Sequence, residues 1–327
     1  MNVTDPETGL VCAYQFDGQG GAQKLQWSEI EKARSEDKVL WVHMDFSNSN
    51  ACNWLEEHSG IDVTVLEAML EEDVRPRSFE FDNGILTLLR GVNSNPGSSV
   101  EDMVSIRIWL QKSFILTTRR RPLLSVRDIQ ARLENGSGPT TAGGFLSALT
   151  ERLTDRIGEV INQVEDQLDS TEAKFQQEEW APQRNTFSEI RRRSARLRRY
   201  LAPQRDAFDS LSRAKGDILS DRVCMNMLEQ ANQMTHFVEE LDLARERAIL
   251  AQEETLNLLA HNQNSKMFLL AIVSAIFLPL SFLTGLMGMN VAGLPGLENP
   301  NAFNLLLGVM IAIGIGILLI FWKKNWF

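Results

Sequence analysis

From Met267 to Leu297 the chain contains no Asp, Glu, Lys, Arg or His. Met267–Leu286 supplies about 20 apolar or small residues, roughly what crosses the 30 Å hydrocarbon core of a bilayer. Ala302–Trp322 supplies a second run of the same length. One such run fits the core helix of a globular domain; two at the end of an otherwise charged chain predict a membrane hairpin. Lys266 precedes the first run and Lys323 and Lys324 follow the second, while the linker between them has no Lys or Arg. The positive-inside rule then puts both termini in the cytoplasm and the linker outside. Trp322, Trp326 and Phe327 suit the headgroup level of the inner face. The polar, acidic opening MNVTDPETGL reads as the absence of a signal peptide.

Ahead of the hairpin, residues 1–143 read as a mixed α/β domain. VLWVHM (39–44), ILTLLRGV (85–92), VSIRIWL (104–110) and FILTT (114–118) have the composition of strands, and Lys112-Ser113 looks like a tight hairpin turn. SEIEKAR, NWLEEH and VTVLEAML between them are helical patterns. The DGQGG at 17–21 has the glycines of a phosphate loop without its Lys or the following helix, so it predicts a turn. Residues 144–266 read as a helical stalk. Leu149, Leu153, Ile157, Val160, Val164 and Leu168 recur at helical spacing and predict a long helix over 145–177. Ala181-Pro182 marks a turn, and a second helix returns through IRRRSARLRRYLAPQRD (190–206). Its arginines face the acids of the first helix (Glu165, Asp166, Asp169, Glu172), which predicts a helix–helix interface in preference to a nucleic-acid surface.

Composition points the same way. A formal charge of −10 argues against nucleic acid and suits a protein that handles cations. Cys12, Cys52 and Cys224 are widely spaced, with no CxxC pair, which leaves neither a disulfide framework nor a thiolate zinc site. His43, His58 and His236 are scattered. No nucleophile–base constellation or cofactor motif is present, so an enzyme is not expected.

Between Gly216 and Gly285 there is no glycine and one proline, Pro279. A helix from Asp221 to Leu286 would be roughly 100 Å long at about 1.5 Å per residue, a stalk passing straight into the first span. Read in sevens, Met267, Ser274, Ser281 and Gly288 form one line, with Ala271, Leu278 and Gly285 beside it. Extended backwards, the first line passes Ala260 and then Glu253, Glu246 and Glu239. Its neighbour passes Asn264, Asn257, Leu250 and Leu243. Small residues on one stripe of a span serve tight packing or line a path. A face that is acidic in water and hydroxyl-bearing in lipid suits a cation path.

The linker starts with Gly288-Met289-Asn290 directly after the first span. In that place the tripeptide resembles the signature of the CorA metal-ion transporter superfamily, and the resemblance extends over the soluble domain, the stalk, the two spans and the KKNWF tail. VAGLPG and RRYLAPQRD resemble the ZntB branch of zinc transporters, and the aromatic and Met-Pro-Glu of the magnesium branch are missing. Met289 stands where ZntB members often carry another residue, as it does in magnesium transporters.

The resemblance implies an α+β fold forming a homopentameric funnel in a bacterial inner membrane. Its segments would be a cytoplasmic domain 1–143, a stalk 144–266, spans 267–287 and 302–322, a periplasmic filter loop 288–301 and a tail 323–327. It places Asn290 at the filter as a ring of five carboxamides that would hold the metal, with Ser281, Leu278 and Glu253 on the axis. Amide oxygens accept from a hydrated divalent ion without holding it too tightly to leave. Glu298, the one acid of the loop, would concentrate cations at the mouth. Proton coupling, if present, would act through His261 or Glu298, the nearest titrating groups. The expected function is zinc uptake, without a cofactor. The alternatives are a magnesium, cobalt or nickel channel, with cadmium a further candidate ion, or a membrane-tethered sensor or scaffold.

Overall fold

A computed structural model describes residues 5, 7–176, 180–289, 294 and 300–324, and the side chains of 176 and 180–184 are outside that description. The chain divides into two compact units, 1–252 and 253–327.

The first unit is built on a mixed sheet of seven strands. They are β1 (Leu10–Phe16), β2 (Ala22–Lys24), β3 (Leu40–Asp45), β4 (Arg77–Phe81), β5 (Gly84–Gly91), β6 (Val104–Leu110) and β7 (Phe114–Arg119), in the order β2-β1-β3-β7-β6-β5-β4. All neighbours are antiparallel except β3 and β7. The four long Val/Ile/Leu-rich strands are buried along nearly their whole length, as expected of a sheet covered on both faces.

Helices α1 (Ile30–Arg34), α2 (Ser49–His58) and α3 (Val63–Leu70) put Trp54, Leu55, Val65 and Met69 against Val42, Met44 and Leu88 on one face. Asn48 and Asp62 cap α2 and α3 by accepting from the backbone N–H two residues on, both at 2.8 Å. On the other face, α4 (Leu124–Glu134) and α5 (Ala142–Gln176) bring Val126, Ile129, Phe145 and Leu149 over Trp41, Ile108 and Ile115.

Gln111 N–H donates to the Phe114 carbonyl at 2.8 Å and closes the hairpin at Lys112-Ser113. DGQGG is the β1–β2 turn. The Asp17 carboxylate accepts from Gln19 N and Gly21 N at 2.7 and 2.9 Å, and Gly20 adopts φ +104, a conformation that favours glycine.

Two sequence expectations need correction. Helix α6 (Trp180–Ser212) begins before Ala181-Pro182, so this pair lies in its first turn and not in the connection. Proline is tolerated there because that N–H has no partner inside the helix. Helices α5 and α6 do pack on each other, with Phe175 edge-on to Phe187, but the charge pairing expected between them resolves differently. The α6 arginines find their acids on other elements, Arg193 and Arg196 on Glu101 and Arg198 on Asp242 at 2.6 Å, while Arg193 meets α5 at the Gln167 amide oxygen. The α5 acids Asp169 and Glu172 are taken by Arg247.

Arg247 belongs to α7 (Asp221–Met287), 67 residues in one helix. Its early part joins the core that α5 and α6 share through Val223, Met227, Met234, Val238, Leu241 and Ala248, with Val223 against Gly143 and Met227 against Thr150 of α5. Asn226 bonds Ser147 at 3.0 Å, a Cβ on Gly158 would meet Phe237 at 3.0 Å, and Arg247 Nε reaches Glu172 at 3.1 Å. Residue numbers rise together along both helices, so α5 and α7 run parallel.

Candidate ion pathway

The second unit holds the end of α7 and helix α8 (Ala302–Lys323). Both contain windows apolar enough to cross a membrane, and those windows are 6% and 0% buried within the chain. Oily side chains that find no cover in their own chain need lipid or another chain.

All the residues of the two predicted lines that the structure describes are exposed, among them Glu239, Glu246, Glu253, Asn257, Asn264, Met267, Ser274, Leu278, Ser281 and Gly285. The seam of Val238, Leu241, Ala244 and Ala248 lies on the packed face of α7, so Glu239 and Glu246 point away from α5. Among the described residues no ion pair involves Glu239, Glu246 or Glu253, whereas Asp242 and Arg247 are both paired. Among the described residues the acidic line therefore carries charge without an ion-pair partner.

Within the span the hydroxyls are arranged by the helix itself. Ser274 Oγ donates to the Leu270 carbonyl at 2.8 Å and Thr284 Oγ1 to the Ser281 carbonyl at 3.0 Å. Each donor is thereby used, leaving lone pairs as the free face, which suits a cation. Sequence reasoning passed over Thr284; its place one turn before the GMN tripeptide was the available signal. Pro279 leaves the Ala275 carbonyl without its usual i+4 donor, while α7 continues through it.

The helix stops at Met287. Gly288 N–H donates to the Thr284 carbonyl at 2.9 Å, and a Cβ at Gly288 would meet that oxygen at 3.1 Å. A Cβ at Gly285 would meet nothing within 4 Å, so no contact among the described residues demands glycine there. Met289 is 47% exposed. Asn290 and Glu298 lie outside the described residues. His261 is exposed; its carbonyl accepts from Ser265 Oγ at 3.0 Å.

No group of three or more His, Cys, Asp or Glu able to hold a metal occurs among the described residues. Cys12 is buried against Gln130, and burial pushes its thiol up to about 12, which disfavours the thiolate that a metal needs.

Three comparisons bear on this arrangement. Residues 36–324 match the family model described as CorA-like Mg2+ transporter protein. The chain is 38% identical over 300 residues to the divalent cation transporter CmaX of Pseudomonas aeruginosa, covering 91% of this chain and 90% of that protein. It is 31% identical over 296 residues to the zinc transport protein ZntB of Pectobacterium carotovorum, covering 90% and 89%. The structure of full-length CmaX superposes with a TM-score of 0.87 at 36% identity, over 98% of both chains.

Proposed function

The chain belongs to the CorA-like Mg2+ transporter family, and from that premise we propose that it carries divalent cations, zinc above others, through a homopentameric pore in the bacterial inner membrane. The observation that carries this reading is the unpaired, exposed line on α7, from Glu239, Glu246 and Glu253 to Ser274 and Ser281. One chain with two spans cannot enclose a path, and a ring of copies can. The acids form a negative vestibule that raises local cation concentration. The hydroxyls and Asn290 amides pass the ion on as acceptors, and Glu298 gathers cations at the outer mouth. Zinc is favoured by the ZntB relatives and by the VAGLPG and RRYLAPQRD stretches; Met289 keeps magnesium, cobalt and nickel as the competing cargo. An anchor for a sensor or scaffold would leave the line without a use.

Radiotracer uptake into proteoliposomes tests the reading, with zinc set against magnesium and with or without a proton gradient. Zinc uptake above empty vesicles is expected, from a preparation whose native mass corresponds to five chains. Absence of uptake of every divalent ion, or a monomer in both detergent and lipid, would overturn it.

The acidic line makes its own prediction. Changing Glu239, Glu246 and Glu253 together to Gln should slow flux at about 0.01 M salt, where the Debye length is about 30 Å. At about 0.15 M, with a Debye length near 8 Å, the loss should shrink. A triple variant that transports like the parent at low salt would reduce the line to a wet helix face.

A further inference from the structure

The parallel register of α5 and α7 brings together one layer that attracts and one that repels. Arg247 on α7 is bonded to Glu172 on α5. Seven residues back along both helices, the same register sets Glu240 opposite Glu165. Glu240 is 19% exposed, and its Oε1 lies 3.2 Å from Nε2 of His236, one turn earlier on α7. Partial burial raises the Glu240 carboxyl above its ordinary range, the Glu165 charge raises it further, and His236 opposes them.

Several charges near this layer are engaged elsewhere. Arg198 of α6 holds Asp242, Arg193 reaches Gln167 and Glu101, and Asp169 of α5 holds Arg247. Among the described residues no Lys or Arg pairs with Glu165 or Glu240.

We propose that Glu165, Glu240 and His236 form a proton-operated clasp between α5 and α7. With both carboxylates charged the layer pushes the helices apart. With Glu240 protonated the repulsion is gone and the layer closes. A carboxyl raised in the folded chain binds more protons there than in the unfolded chain between its two pKa values. The contact therefore gains stability as pH falls through that window and loses it as pH rises. The clasp makes the packing of α7 responsive to pH whichever ion the protein carries.

Hydrogen–deuterium exchange on the full chain in lipid nanodiscs tests this, with rates corrected for intrinsic exchange. Peptides covering 161–172 and 236–248 should exchange roughly two- to fivefold more slowly at pH 5.5 than at pH 7.5, the scale of a single charge pair. Glu240→Gln should show the slow rate at pH 7.5 already and lose the pH response, and Glu165→Gln should exchange more slowly than the parent at pH 7.5 and keep only the smaller response that burial of Glu240 leaves. Arg247→Ala should speed exchange at both pH values and keep the parent's pH response. Exchange in the parent that ignores pH, or a response as large as the parent's in either Gln variant, would overturn the clasp. Should one Gln variant fail to fold, the other decides.

Discussion

Asn290→Ala is expected to reduce divalent-cation uptake to the level of empty vesicles while yield and native mass stay those of the parent. In the proposed pore five amide oxygens at one level replace the outer contacts of a hydrated ion, and alanine offers no acceptor there. No other amide or acid in Met267–Leu297 could take over, since Asn290 is the only one in that stretch. Asn290→Asp gives the complementary result. A carboxylate ring holds a divalent ion more tightly and releases it more slowly, so apparent affinity should rise while maximal flux falls. Undiminished uptake by an assembled Asn290→Ala protein would sink the filter assignment.

Acid is expected to unfold the sheet domain early, with His43 as a main cause. His43 is fully buried on β3; its Nδ1 is 2.7 Å from Thr117 Oγ1 and its Nε2 has no hydrogen-bond partner. Burial pushes its pKa down to about 3, the Arg119 charge adding to the fall and the Thr117 contact opposing it. The folded chain then binds fewer protons than the unfolded one from about pH 6.5 down to about pH 3. Stability attributable to this group is intact above that window and is lost as pH falls, at about 1.4 kcal/mol per pH unit. At pH 5 the loss is about 2 kcal/mol. Glu240 acts in the opposite direction, so the comparison must be between parent and His43→Asn at each pH. Urea unfolding of the full chain followed by Trp fluorescence should show the parent losing about 2 kcal/mol more than the variant between pH 8 and pH 5. Equal losses would remove His43 from the account.

The sequence was most informative where the signal is local. β3, β5, β6 and β7 were readable because their β-branched and aromatic residues are buried on both faces. β1 went unread: LVCAYQF pairs two apolar ends with Cys, Ala and Gln, and becomes a strand by pairing with β3 and β2. β4 is an edge strand with Arg77 and Glu80 in it, and charge at an edge is a protection against unwanted pairing that hides the strand from a hydropathy reading. α4 was also missed, lying between the sheet and the more strongly periodic α5. The acidic line on α7 was legible as a heptad pattern, and its exposure follows from the seam on the opposite face. What α5 and α6 do with their charges was not legible, because Arg247 finds Asp169 and Glu172 from a distant part of the chain. Such choices depend on the register of packed helices, which composition does not encode.

That register has a mechanical consequence. Arg247 is bonded to Asp169 and Glu172, two residues nearly one turn apart on α5, and Asp242 is tied to Arg198 on α6. Sliding α7 along its axis by one turn, about 5.4 Å, would break both ties and carry Phe237 off the hollow at Gly158, where a Cβ would stand 3.0 Å from the ring. Turning α7 through a small angle about its own axis strains them far less, because long arginine side chains can follow. The ties act as a thrust bearing: they resist a piston stroke and permit torsion. Within the first unit α7 is thus free to twist and not to slide, and in the proposed ring of copies twist is the motion that would swing one stripe of a helix toward or away from the axis.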